Sequence, residues 1–174
     1  MLCSGYIWQP DNGRYNVLDD SLRQSIVSGC IGGTLTTVAG KFSSAYYKDY
    51  YRNFISDLRL NGVNVIAYYA PRKNWHAKIA IRTNQDCPVA ALVGSSNLTG
   101  PAYGIDRNSW NYEADVLIWS ESGNQTSYFR NDDMDLPLGR LEAILDPKII
   151  QASEEKQLKS IYEDVMKTEL LHFE

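Results

Sequence analysis

Two residues separated by one, His76 and Lys78, carry the most pointed chemistry in this sequence. They lie in Trp75-His76-Ala77-Lys78-Ile79-Ala80-Ile81-Arg82, a stretch that reads as a β-strand. Side chains alternate along a strand, so His76, Lys78, Ala80 and Arg82 share one face and Ala77, Ile79 and Ile81 the other. On that reading His76 and Lys78 stand roughly 7 Å apart. A nucleophile or base beside a fixed cation suits attack on a phosphate ester: the imidazole supplies the electron pair and the ammonium offsets the developing charge. A lone histidine is ordinarily a half-buried surface residue, so its surroundings decide how it is read.

Those surroundings are polar and well placed. Val89-Ala90-Ala91-Leu92-Val93 reads as a second, apolar strand, joined to the first through the turn-rich Thr83 to Pro88. The two are expected to form a hairpin. Antiparallel partners start and finish together, so Gly94-Ser95-Ser96-Asn97 returns to the His76 end of the sheet. A long loop follows to Asn111, and Tyr112 to Trp119 reads as a third strand with Glu113 and Asp115 on one face. Loops of more than ~12–15 residues are often functional.

His76-x-Lys78 followed by Gly94-Ser95-Ser96-Asn97 resembles the HKD motif of the phospholipase D superfamily, and in particular its single-motif nucleases, which include metal-independent restriction endonucleases. The resemblance runs from about Thr34 to Trp119. It implies that His76 is the nucleophile that forms a phosphohistidine. Lys78 and Asn97 would bind the non-bridging phosphate oxygens, with Ser95 a further hydrogen-bond donor. Glu113 would orient His76 through its other ring nitrogen; the plainer reading of Glu113 is a solvated strand-end carboxylate. Many HKD motifs carry an aspartate five residues after the lysine, where this chain has Thr83 and its nearest acid is Asp86. That departure weakens a lipid-phospholipase reading more than a nuclease one.

The superfamily mechanism takes two histidines, one as nucleophile and one as general acid. This chain has two in all, and the second, His172, sits close to Glu174 in a tail expected to fray. The expected completion is a homodimer, with two copies of His76, Lys78 and Asn97 facing across a twofold axis.

The elements that position these residues follow from pattern. Leu2 to Trp8 reads as a short strand, and a short helix capped by Asp19 or Asp20 runs to Gly29. Gly32 to Val38 reads as a β-branched strand. Ser43 or Ser44 caps a helix over about Ala45 to Leu60, whose stripe Tyr47, Tyr50, Tyr51, Phe54 and Leu58 is taken as its core face in preference to a base-stacking platform. Lys41, Lys48 and Arg52 are candidates for a basic rim. Val63 to Tyr69 reads as a strand broken by Pro71. Beyond Ser120 the chain is polar to about Leu136; helices are expected near Leu138–Leu145 and Ser153–Leu171, the latter with Leu158, Ile161, Tyr162 and Val165 as its stripe. Together these predict an α/β or α+β sandwich with a mixed β-sheet, and the resemblance implies the α/β form, a phospholipase D-like sandwich with a mixed β-sheet flanked by helices. A single domain is expected over residues 1–174, with its core at about 30–120 and a helical segment at about 136–172.

Composition narrows the function. The chain has 174 residues, 44% of them hydrophobic, and a net charge of −4, so a nucleic-acid partner requires a local basic patch. Arg72, Lys73 and Ser96 are candidate substrate contacts, with a solvated charged turn the plainer reading of the first two. The three cysteines, Cys3, Cys30 and Cys87, have no CxxC spacing and read as thiols in a reducing compartment. No apolar run reaches the ~20 residues of a membrane span; cytoplasmic location and no membrane partner are expected. Gly94-Ser95-Ser96-Asn97-Leu98 is not a G-x-S-x-G elbow, and no His/Cys cluster has zinc spacing. Asp86, Asp106, Glu113 and Asp115 have no recognisable magnesium spacing and would leave His76 unexplained. What the resemblance implies is a nuclease without metal or cofactor, acting on DNA in preference to RNA as the catalytic domain of a restriction or defence endonuclease. The alternatives are a lipid-directed phospholipase or phosphatidyltransferase and a non-catalytic nucleic-acid-binding domain.

Overall fold

A computed structural model describes residues 1–5, 20–40, 45–71, 76, 78–95, 114–119 and 147–173. Among the described residues ten elements follow one another: β1 (Leu2–Ser4), α1 (Asp20–Gly29), β2 (Thr34–Ala39), α2 (Ala45–Leu60), β3 (Asn64–Tyr69), β4 (Lys78–Asn84), β5 (Cys87–Gly94), β6 (Asp115–Trp119), α3 (Pro147–Met166) and β7 (Leu171–His172). The strands make one mixed sheet in the order β6-β5-β4-β1-β2-β3-β7. β1, β2 and β3 are parallel, and β4, β5, β6 and β7 each run antiparallel to the strand they join. The expected α/β class with a mixed sheet flanked by helices is what forms.

Strand alternation sorts the side chains into two packed layers. Leu35, Ala39, Val65 and Ala67 turn one way and meet Tyr51, Phe54, Ile55 and Leu58 of α2, with Ile26 and Val27 of α1 against the same cluster. Cys3, Val38, Ile79, Ile81, Ala91 and Val93 turn the other way, where Leu158, Ile161, Tyr162 and Val165 of α3 cover them. Helices thus lie on both faces. Fully burying a side chain such as Leu58 or Leu158, both 0% exposed, stabilises the fold by about 2 kcal/mol. The α2 stripe is a core face, as its spacing predicts: Tyr51 is buried and its hydroxyl donates to the carbonyls of Thr37 and Tyr68, both at 2.9 Å.

Several expected boundaries move. β1 is only three residues long, yet it lies in the middle of the sheet, between β4 and β2, well before the expected core span. The β4–β5 turn is tighter than Thr83 to Pro88: the ladder continues to Asn84 and Cys87, and Gln85 and Asp86 make the turn with positive φ of 49° and 63°. Both φ values match the turn that joins right-twisted strands most readily. α3 starts earlier than Ser153 and stops at Met166. The segment after it does not fray: β7 pairs with β3, placing His172 opposite Tyr68 and Leu171 opposite Tyr69. The Phe173 ring packs on Tyr51 at 4.9 Å, and the Phe173 amide donates to the Ala67 carbonyl at 2.9 Å. The ladder to β3 and the Phe173 contacts hold this segment in place. The helix expected near Leu138–Leu145 lies outside the described residues.

Candidate active site at the end of the sheet

The candidate residues gather where three parallel strands finish. Cys3 pairs with Ile79 across β1 and β4, so Lys78 stands one residue further along, level with Ser4 at the end of β1. Ser4 is opposite Ala39, and Ala39 opposite Tyr69, the last residues of β2 and β3. In α/β sheets this carboxyl end of the parallel strands is the usual place for ligands. On the other side Lys78 pairs with Gly94, and Gly94 with Asp115. The rim of the sheet therefore reads Asp115, Gly94, Lys78, Ser4 on one face. That face is the one opposite α3, because Ile79 and Ile81 are the residues that α3 covers.

His76 does not belong to the strand. β4 begins at Lys78, and His76 precedes it as an exposed, non-strand residue. The strand ends there because the β5 ladder has reached its own last residue, Gly94. Lys78 is half-buried at the first position of the ladder. An exposed imidazole off the strand, beside a cation at the strand's first position, differs from the expected pair on one strand face.

Ser95 follows directly. Its amide donates to the Ala114 carbonyl at 3.2 Å, and the Ala114 amide donates to the Ser95 hydroxyl oxygen at 3.0 Å. This reciprocal pair closes the β5–β6 junction. The Ser95 hydroxyl thus holds the rim together, a role the sequence reading did not assign. Asn97, Glu113, Arg72, Lys73 and Ser96 lie outside the described residues. Of the basic rim expected from Lys41, Lys48 and Arg52, Arg52 is engaged locally: it pairs with Asp49 at 2.7 Å and lies 5.6 Å from the Phe173 ring centroid. Lys48 is exposed, and Lys41 is outside the described residues.

Asp115 was not among the expected site residues. A Cβ built on Gly94 would run into the Asp115 carboxylate oxygen Oδ1, and would come 2.5 Å from the Ala114 carbonyl oxygen and 2.6 Å from the Asp115 Cα. The Asp115 carboxylate therefore fills the space above Gly94, one strand nearer to Lys78 than its own backbone. The signal was present in the shared face of Glu113 and Asp115, but which residue lies opposite Lys78 depends on register.

Among the described residues no helix is long and apolar enough to cross a membrane. No protein-family model matches the sequence, and no curated protein matches it. A solved structure found to be similar is polyphosphate kinase from Porphyromonas gingivalis, with a TM-score of 0.40 and 15% identity over 67% of this chain. The chain spans only 17% of that enzyme, and a likeness at this level carries no functional assignment.

Proposed function

We propose that the chain is a phospholipase D-like phosphodiesterase that cleaves nucleic acid without a metal ion, with DNA as its substrate and a restriction or defence role. The observation that carries this reading is the pairing of Lys78 with Gly94, which brings His76-x-Lys78 and Gly94-Ser95 to the same end of the sheet. His76 attacks phosphorus and displaces the leaving oxygen, forming a P–N bond as the P–O bond breaks. Lys78 offsets the charge on the non-bridging oxygens, with Asn97 as its partner in that task. Glu113 holds the His76 ring in one tautomer. Water then cleaves the P–N bond and restores the imidazole. Arg72, Lys73 and Ser96 contact the flanking backbone.

The leaving oxygen needs a proton, and the one other histidine, His172, is paired through β7 to the far edge of the sheet from β4. A second copy of the chain supplies it in this reading. Two copies of Lys78 in one cleft also give the local positive charge that a chain of net −4 otherwise lacks.

Incubation of the wild type and His76→Ala with duplex DNA in EDTA tests the activity. Cleavage by the wild type alone supports the proposal; cleavage that needs a divalent ion, or that survives in His76→Ala, contradicts it. Sedimentation of the active protein as a strict monomer would remove the second-copy account of the leaving-group acid.

A further inference from the structure

We infer that Ser95 is a positioning residue whose hydroxyl fixes the peptide joining Glu113 to Ala114 and, through Glu113, the orientation of His76; this rests on the phosphodiesterase reading above. The observation is how the β5–β6 ladder ends. Its last pair of strand residues is Gly94 with Asp115. One step further, the Ser95 amide donates to the Ala114 carbonyl at 3.2 Å, as in a regular antiparallel pair. Such a pair exchanges two bonds, and the return bond would run from the Ala114 amide to the Ser95 carbonyl. Here the Ala114 amide donates to the Ser95 hydroxyl oxygen, at 3.0 Å. A side-chain oxygen stands in for a backbone oxygen, so β5 ends at Gly94 while the chain entering β6 is still held one residue beyond it.

The two bonds hold different peptides. The bond from the Ser95 amide holds the Ala114 carbonyl, which belongs to the peptide leading on into Asp115 and β6. The bond to the Ser95 hydroxyl holds the Ala114 amide, which belongs to the peptide leading back to Glu113. Removing the hydroxyl keeps the first bond and loses the second, so it loosens the Glu113 side and leaves β6 in place. The close approach at Gly94 secures β6 independently: a Cβ there would lie 2.5 Å from the Ala114 carbonyl oxygen. His76 is exposed and precedes β4, so no strand fixes its ring. An imidazole that attacks through one nitrogen is oriented by the bond its other nitrogen makes. Glu113 supplies that bond in the reading above, and the Ser95 hydroxyl acts on the reaction through it, without touching the phosphate. Glu113 orients the nucleophile and does not bind substrate, so the effect falls on kcat and spares KM.

The test is a double-mutant cycle on cleavage of a labelled duplex oligonucleotide in EDTA. Ser95→Ala lowers kcat by about tenfold, the worth of one hydrogen bond, with KM unmoved. Ser95→Thr, which keeps the hydroxyl, recovers the rate. In a Glu113→Ala background Ser95→Ala has no further effect, because residues that act as one unit are not additive. Where Glu113→Ala is too slow to follow, the rate at which diethyl pyrocarbonate modifies His76 supplies the same cycle without turnover. Amide hydrogen exchange reads the hydroxyl's own bond: in Ser95→Ala the Ala114 amide exchanges about tenfold faster than in the wild type, while Val116 in β6 keeps its rate. Unchanged exchange at Ala114 overturns the role of Ser95 alone. So does a Ser95→Ala loss of the same size with and without Glu113, which is the signature of a hydroxyl in direct contact with the phosphate. If cleavage survives in His76→Ala, the phosphodiesterase reading falls and the Ser95 inference with it.

Discussion

Lys78 stands directly opposite Gly94, the first residue of β4 against the last of β5. The ladder ends there on both strands, which leaves His76 outside regular structure and puts Ser95 directly after β5. The pairing determines which residues share the rim and which face they occupy. It also lets β6 come in close, because Gly94 presents no side chain to Asp115 and Ala114.

Gly94→Ala is therefore expected to be costly although alanine suits a strand. The new Cβ would lie 2.5 Å from a backbone oxygen and 2.6 Å from a Cα, and backbone cannot swing aside as a side-chain tip can. A loss of about 1–3 kcal/mol follows for overpacking of this kind, read from the urea midpoint at constant m-value. An unchanged midpoint would show that β6 is not held against Gly94.

Tyr51→Phe removes a hydroxyl that donates to two strand carbonyls, those of Thr37 and Tyr68, at 2.9 Å each. The ring stays and packs as before, but the bridge from α2 to β2 and β3 is lost. The expected cost is about 1–3 kcal/mol, measured by chemical denaturation. A loss below ~0.5 kcal/mol would mean that water or a shifted neighbour replaces the bridge.

Alkaline pH should unfold the protein through groups that cannot ionise in place. Burial pushes the Cys3 thiol up to about 12 from an ordinary 9.0, opposed only in part by the positive N-terminus nearby. Burial pushes the Tyr51 hydroxyl up as well. Both stay protonated in the fold while the unfolded chain ionises. The stabilisation from Cys3 is complete below pH 9 and is lost as pH rises from there toward 12. At about pH 11 the loss from Cys3 is on the order of 2 kcal/mol. Urea midpoints at pH 7, 9 and 11 should fall steeply over the last interval, and Cys3→Ala should flatten that fall. A flat wild-type profile would contradict the burial of both groups.

Much of this fold is legible in the sequence where periodicity is long enough to read. The stripe through Tyr51, Phe54 and Leu58 marks α2 at its observed ends, and the apolar run through Ala91 marks β5. The β4–β5 hairpin is legible too, but its tip is not, because Gln85 and Asp86 adopt positive φ without a glycine to advertise it. β1 is legible as a short strand from Leu2, though not its central place in the sheet, and β7 is too short to show a period and exists because β3 pairs with it. Within the site, the residue types of His76, Lys78 and Ser95 are visible in the chain. The position of His76 off the strand and the placing of Asp115 over Gly94 come from where two ladders end. Local propensity does not encode a ladder's end.

The central claim is that His76 forms a covalent bond to phosphorus. Duplex DNA carrying a labelled backbone phosphate, mixed with the protein in EDTA and quenched in alkali within milliseconds to seconds, tests it most directly. The expected result is a protein–DNA adduct that withstands alkali, breaks down in acid and maps by peptide mass to His76. It should be missing in His76→Ala. Cleavage by the wild type with no such adduct at any time point, or with an adduct on a different residue, would contradict the account.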